Sequence, residues 1–210
     1  VGCTTITAGA FTDTTGHWAE SAINKWSQEY GIIQGYDDGT FRPDNSITRG
    51  AFAGILDRFL HFQETSPAST FSDTAGTYWE DAILKLHASG VYLGNQGKAL
   101  SSSTITRQQA VAMIGRAFNI PLETTSVSYS DGSSIAEYAL PYVAEFEAHG
   151  YLTDCTDGRF RPTDATTRTE IVNILGDMIH TLLRANTTWT KDAPGTLLIS
   201  ARAWAALMRV

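Results

Sequence analysis

The sequence predicts an all-α fold, three tandem helix–turn–helix repeats closed around a pseudo-threefold axis. Three observations lead there. A Thr-Arg pair recurs at Thr48-Arg49, Thr106-Arg107 and Thr167-Arg168, a period of about 60 residues. A glycine stands ten positions before each arginine, at Gly39, Gly97 and Gly158. Offsets +3, +6, +7, +10 and +11 from each arginine are apolar in all three repeats. They are Phe52, Ile55, Leu56, Phe59 and Leu60; Ala110, Met113, Ile114, Ala117 and Phe118; and Ile171, Ile174, Leu175, Met178 and Ile179. Fifteen matches to a 3.6-residue period define one buried stripe per helix. One helix pair is too small to bury its stripe alone, so three are expected to share a core.

The elements follow in order. An aromatic-x-Asp opens each repeat, at Phe11–Asp13, Phe71–Asp73 and Tyr129–Asp131. These aspartates are expected to cap the turn before the first helix. The first helix of repeat 1 is expected over 17–30, with Trp18, Ala22, Ile23 and Trp26 on one stripe and Trp26 in the core. Gly31, Gly90 and Gly150 suit the position after a helix end. Pro141 falls near a helix start, where proline is tolerated. Thr48, Thr106 and Thr167 stand where an N-cap belongs, so each second helix starts at its arginine. Segments 61–70 and 119–128, rich in Ser, Thr and Pro, read as linkers. The expected units are therefore 11–62, 71–120 and 129–183, with a tail over 184–210. In that tail 185–196 reads as loop and 199–208 as a short helix capped by Ser200.

Composition narrows the function. The net charge of -7 argues against a nucleic-acid binder. No apolar run is long enough to span a bilayer. No secretory signal is visible, and a chain that starts at Val1 reads as a mature or trimmed product. The histidines carry no HExxH, and Asp37, Asp38 and Asp44 miss the EF-hand spacing, so no metal or cofactor is expected. No GxSxG or P-loop occurs, and neither Cys3 nor Cys155 has a local base or a CxxC context, so no enzyme is expected. A glycan-active enzyme would need two facing carboxylates.

The cations are eleven Arg and four Lys, a bias toward the planar fork that grips carboxylates and phosphates. Arg49, Arg107 and Arg168 stand at helix N-termini, where the dipole favours acidic residues instead. A cation placed against the dipole three times implies a counter-anion. That anion is either a ligand, held jointly with unpaired N–H groups of the helix start, or a carboxylate of a neighbouring repeat, with Asp13, Asp73 and Asp131 as candidates. Trp18, Tyr36, Tyr78, Trp79 and Tyr138 either join the core or stack on sugar faces. Gly35, Gly39 and Gly158 suit positive-φ turns or close approach to a ligand.

Taken in order, Phe11-Thr12-Asp13, His17-Trp18-Ala19, Gly35-Tyr36-Asp37-Asp38-Gly39-Thr40-Phe41-Arg42-Pro43 and Ile47-Thr48-Arg49 resemble an S-layer homology module. The resemblance covers residues 11 to about 183. It implies non-covalent anchoring at a bacterial cell wall or S-layer, outside the cell. The implied ligand is an acidic secondary cell wall polysaccharide, often carrying pyruvate ketals on N-acetylmannosamine, held in grooves between repeats. The resemblance places the site at Thr48-Arg49, Thr106-Arg107 and Thr167-Arg168, and the residues themselves add Trp18, Tyr78, Trp79, Tyr138, Gly35 and Tyr36 as candidates beside it. It also implies a monomeric trimodular unit fused to a larger surface protein. The alternative is a module for protein–protein contact or self-assembly, its grooves filled by its own side chains.

The sequence departs from the family pattern in three places. The glutamate two residues after the arginine survives only as Glu170, with Ala51 and Gln109 in its place elsewhere. Repeat 2 replaces the Asp-Gly-x-Phe-x-Pro turn with Gly97-Lys98-Ala99-Leu100-Ser101, and repeat 3 lacks the tryptophan of the first helix. If the ring closes, Cys3 and Cys155 become neighbours, and a disulfide between them is feasible at an oxidising cell surface.

Overall fold

The computed structural model describes residues 11–187, with side chains described through residue 182. Cys3, its pairing with Cys155, and the expected helix over 199–208 lie outside the described residues. The described chain is all α-helical, with no strands. Its helices are α1 (Glu20–Asn24), α2 (Arg49–Leu60), α3 (Glu80–Ala88), α4 (Arg107–Phe118), α5 (Leu140–Ala148) and α6 (Arg168–Thr187). The last runs three residues into the segment expected as loop.

The second helix of each repeat forms as its sequence directs. Thr48 is extended and accepts the Ala51 N–H at 3.2 Å. Thr167 accepts the Glu170 N–H at 3.2 Å, and the Glu170 carboxylate accepts the Thr167 N–H at 2.7 Å, a reciprocal capping box. Gln109 serves Thr106 in the same way. All fifteen apolar offsets are buried. Phe59 meets Trp26 edge-on and tilts against Phe118, which joins α2, α4 and the first segment in one core.

The first helix of repeat 1 is shorter than expected. Turn bonds from His17 N–H to the Thr14 carbonyl and from Glu20 N–H to the His17 carbonyl delay it to Glu20. Residues Lys25–Glu29 then continue as a wider π turn. Trp18 therefore lies ahead of the helix and is 68% exposed, while Ala19, Ile23 and Trp26 are buried.

Neighbouring repeats are joined by backbone hydrogen bonds in cyclic order. Ile47 N–H donates to the Thr166 carbonyl, Thr166 N–H to the Ile105 carbonyl, and Ile105 N–H to the Ile47 carbonyl, at 2.9–3.0 Å. Helix packing follows the same order: α3 lies on α2, α5 on α4, and α1 on α6. Each first helix thus has its main helix contact in the preceding repeat. Trp79 lies on Gly50 and Gly54 of α2, and Tyr142 on Gly115 of α4, where any Cβ would run into the ring.

The aspartates of the aromatic-x-Asp pairs do not cap the first helix. Each carboxylate clamps two successive N–H groups of the long turn before the second helix. Asp13 holds Phe41 and Arg42 at 2.8 and 2.7 Å, Asp73 holds Ala99 and Leu100 at 2.7 and 2.9 Å, and Asp131 holds Phe160 and Arg161 at 2.9 and 2.8 Å. The second residue of each pair is left-handed, with φ of 57° at Arg42, 56° at Leu100 and 58° at Arg161. A non-glycine residue there is strained, and the clamp offsets the strain. Repeat 2 keeps this geometry although its turn motif is gone.

Burial raises these carboxyls, but the paired N–H bonds outweigh it and leave all three below the ordinary carboxylate value. A depressed carboxyl adds stability above its unfolded pKa of about 3.9 and loses it as pH falls through the lower folded value. Asp73→Asn and Asp131→Asn are therefore expected to cost about 1.5–3 kcal/mol at pH 7, the range for hydrogen bonds to a charged group. The cost should shrink toward pH 3, and urea denaturation at both pH values measures it. A chain ending at residue 127 would lack α6, on which α1 packs. It should show no cooperative thermal transition by circular dichroism.

Candidate functional site

The cyclic contacts decide what each helix start offers. Arg49 N–H donates to the Ser103 carbonyl and Gly50 N–H to that of Ser101, both at 2.9 Å. Arg107 and Gln108 donate to Asp164 and Pro162, and Arg168 and Thr169 to Asn45 and Pro43, at 3.0–3.1 Å. The first two N–H groups of each second helix are thus taken by the neighbouring repeat. The expectation that these N–H groups are free for a ligand is corrected.

All three guanidinium groups are buried at seams between repeats. Arg49 donates from Nε to the Ala99 carbonyl at 3.1 Å and from Nη1 to Gln109 Oε1 at 3.3 Å, with Tyr92 under its plane at 4.9 Å. Arg168 donates from Nε to the Phe41 carbonyl at 2.8 Å and from Nη2 to the Gln34 carbonyl at 2.6 Å, beside the rings of Tyr36 and Phe41. Neither has a carboxylate partner among the described residues. A guanidinium carries five N–H donors; the Arg168 bonds above use two, and at Arg49 the Tyr92 hydroxyl is a further partner beside the two acceptors above.

Arg107 differs. Its Nη2 lies 2.6 Å from Asp154 Oδ1 and 3.3 Å from Cys155 Sγ, and its Nη1 lies 3.4 Å from Glu170 Oε1. Its Nε has no described partner, so it lacks the carbonyl bond that Arg49 and Arg168 make. Of the two counter-anions open at the sequence level, the internal carboxylate holds at Arg107 alone. Asp13, Asp73 and Asp131 clamp the turns and form no ion pair with these three arginines among the described residues, although Asp13 still acts on Arg168 from farther off.

The pKa directions follow the same division. Burial pushes Arg168 down, Arg58 and Arg42 add to the fall, and Tyr36 and Asp13 oppose it without reversing it. Burial alone would push Arg107 down too, but Asp154 drives it well up. Burial also raises the Cys155 thiol.

The Arg49 seam opens into a cavity of about 490 Å³. Its wall includes Arg49, Arg116, Gln109, Thr104, Asn95 and Tyr138, and no carboxylate. The volume falls in the usual range of small-ligand pockets, about 300–1,000 Å³. Arg116 reaches the Val91 carbonyl, and its counterpart Arg58, nine residues after Arg49, reaches the Ile32 carbonyl, both at 3.0 Å. These two arginines escaped the sequence reading. Their shared offset from the Thr-Arg pair was the available signal.

Trp18, Tyr78 and Tyr138 occupy equivalent positions and are 68, 82 and 48% exposed. Tyr36 is also exposed, and Arg42 stacks on it at 4.0 Å. Trp79 belongs instead to the packing on α2. Thr48, Thr106 and Thr167 act as helix caps. Gly39 and Gly158 have positive φ as expected, but Gly35 does not; it is glycine because a Cβ would meet the Phe11 ring.

The S-layer homology domain family matches this chain at residues 10–53 and 128–171. These two segments of the chain are thus recognised as S-layer homology domains. It is 34% identical over 122 residues to the cellulosome-anchoring protein of Acetivibrio thermocellus, covering 55% of this chain and 27% of that one. It is 25% identical over 176 residues to an amylopullulanase of Thermoanaerobacterium thermosulfurigenes, covering 81% of this chain and 9% of that one. Outer membrane protein SlpA of Deinococcus radiodurans is 33% identical over 111 residues, covering 51% of this chain and 9% of that one. The chain therefore spans a minor part of each relative.

Arg107→Ala is expected to destabilise the fold most among the three arginine variants, by about 3–5 kcal/mol, because it strands two partly buried carboxylates. Urea unfolding of the three single variants at pH 7 checks the order.

Proposed function

We propose that this chain anchors a larger surface protein to a bacterial cell wall by binding an acidic wall polysaccharide at the seams between three S-layer homology modules, without chemistry of its own. The observation that carries this reading is the pair of buried arginines, Arg49 and Arg168, that lack a carboxylate. An uncompensated buried charge is costly, so a site that keeps one is suited to an incoming anion. A planar fork with free donors fits a sugar carboxylate, such as a pyruvate ketal on N-acetylmannosamine. The aromatics Trp18, Tyr78 and Tyr138 beside the seams offer faces for sugar rings. The cyclic order of backbone bonds supports closure about a pseudo-threefold axis, with the middle unit a third module. The matches to a cellulosome-anchoring protein and, at 24% identity, to an S-layer protein of Bacillus anthracis support a place outside the cell. The alternative, a self-assembly module whose grooves are filled from within, fits the Arg107 seam and not the other two.

Arg49→Ala and Arg168→Ala are each expected to weaken binding to purified wall sacculi ten- to a hundredfold, the cost of about 1.5–3 kcal/mol for a charge-assisted hydrogen bond. Arg→Lys should recover part, since an ammonium lacks the fork. Sacculi stripped of the secondary polymer should bind no variant. Equal binding to stripped and intact sacculi would remove the polysaccharide from the reading.

A further inference from the structure

The three seams share a backbone plan but not a charge plan. Four residues after Gly31, Gly90 and Gly150 stand Gly35, Gly94 and Asp154. In repeats 1 and 2 the ring of Phe11 or Phe71 fills the space that a Cβ at this glycine would need. No side chain can therefore enter the seam from there. In repeat 3 the position carries a carboxylate, and it reaches the Arg107 fork at 2.6 Å.

A second position changes in the same sense. Nine residues after each arginine stand Arg58, Arg116 and Asp177. The first two add a cation to their surroundings. Arg116 joins Arg49 in the wall of one cavity, and Arg58 is close enough to Arg168 to depress it. Asp177 instead adds an anion beside Asp154, where Thr153 and Asn173 hold it by hydrogen bonds. Among the described residues neither of these two seams has a carboxylate in ion-pair contact with its arginines, although Asp13 acts on Arg168 and Asp57 on Arg58 from farther off. The third has one arginine facing Asp154 and Glu170, with Asp177 next to them. Arg107 has also turned from the carbonyl that its counterparts grip, and its Nε is left without a described partner.

We propose that Asp154 occupies, at the Arg107 seam, the place that the ligand's carboxylate takes at the other two, so that the chain binds two acidic sugars rather than three. The inference rests on the polysaccharide reading given above. A fixed intramolecular carboxylate meets the arginine at high effective concentration and without the entropy cost of association. An incoming carboxylate must displace it and then meet Asp177 and Glu170 as like charges. In this chain the third seam contributes to the fold, and the other two contribute to the wall bond.

The test counts sites on the full chain by calorimetric titration with the methyl glycoside of pyruvate-ketal N-acetylmannosamine. The wild type is expected to bind two equivalents. Asp154→Gly with Asp177→Arg rebuilds the charge pattern of the other seams and is expected to bind three. Asp154→Asn keeps the size and part of the hydrogen bonding. It serves if the double variant does not fold, and a third, weaker equivalent is expected. Two equivalents for every folded variant, or three for the wild type, would overturn the inference and leave the polysaccharide reading standing. A wild type that binds none would overturn the polysaccharide reading and this inference together.

Discussion

The structure depends on three backbone hydrogen bonds that run in a cycle through Ile47, Thr166 and Ile105. Each joins the residue before a capping threonine to its counterpart in another repeat. Once that cycle forms, the start of every second helix lies under the turn of a neighbour. Two of the four N–H groups that a helix start leaves unpaired are then satisfied across the seam. The arginine at the first helical position is carried to the same seam. Its guanidinium is surrounded by groups that its own repeat does not supply. Arg168 shows the reach of this arrangement, since its Nε partner, the Phe41 carbonyl, lies 127 positions away in sequence. Site and fold therefore share their contacts, and the repeats do not act as separate beads.

Much of this was legible in the sequence, and the limits have physical causes. The second helices were readable because a 3.6-residue apolar period, a threonine cap and a buried stripe all report on one short segment. The aspartate clamps were misread because their partners lie 26 to 30 residues away and are backbone groups. Backbone N–H groups leave no mark in sequence. For the same reason the altered turn of repeat 2 was a poor guide. The clamp on Ala99 and Leu100 needs only two N–H groups in the right place, and any residue but proline supplies one. Trp18 was misplaced because periodicity cannot show that a turn delays the helix to Glu20.

The candidate site was half legible. The Thr-Arg pairs marked all three seams, and the family resemblance gave the arginines a shared role. Sequence could not say which arginine already has a counter-anion, because Asp154 lies 47 positions from Arg107 and in another repeat. The shift from Gly35 and Gly94 to Asp154 reads as an ordinary loop change until the backbone brings it beside a buried guanidinium.

A repeat protein that keeps one backbone and varies a few side chains can assign different tasks to equivalent places. At Arg49 and Arg168 the neighbours supply neutral acceptors, carbonyls and an amide, which orient a guanidinium without cancelling its charge. Orientation without neutralisation is what an anion site requires, because the fork is pre-organised and the desolvation of the arginine has already been met by folding. At Arg107 the neighbours are carboxylates, and the same fork closes a seam instead. The buried ion pair does not by itself imply added stability over an apolar seam, since desolvating both charges offsets much of their attraction. On the proposed reading its effect is on selectivity: an occupied arginine offers no reward to a passing anion. Geometry inherited from the repeat and charge chosen at two or three positions are then separable variables. The first sets where a ligand can sit, and the second sets whether it does.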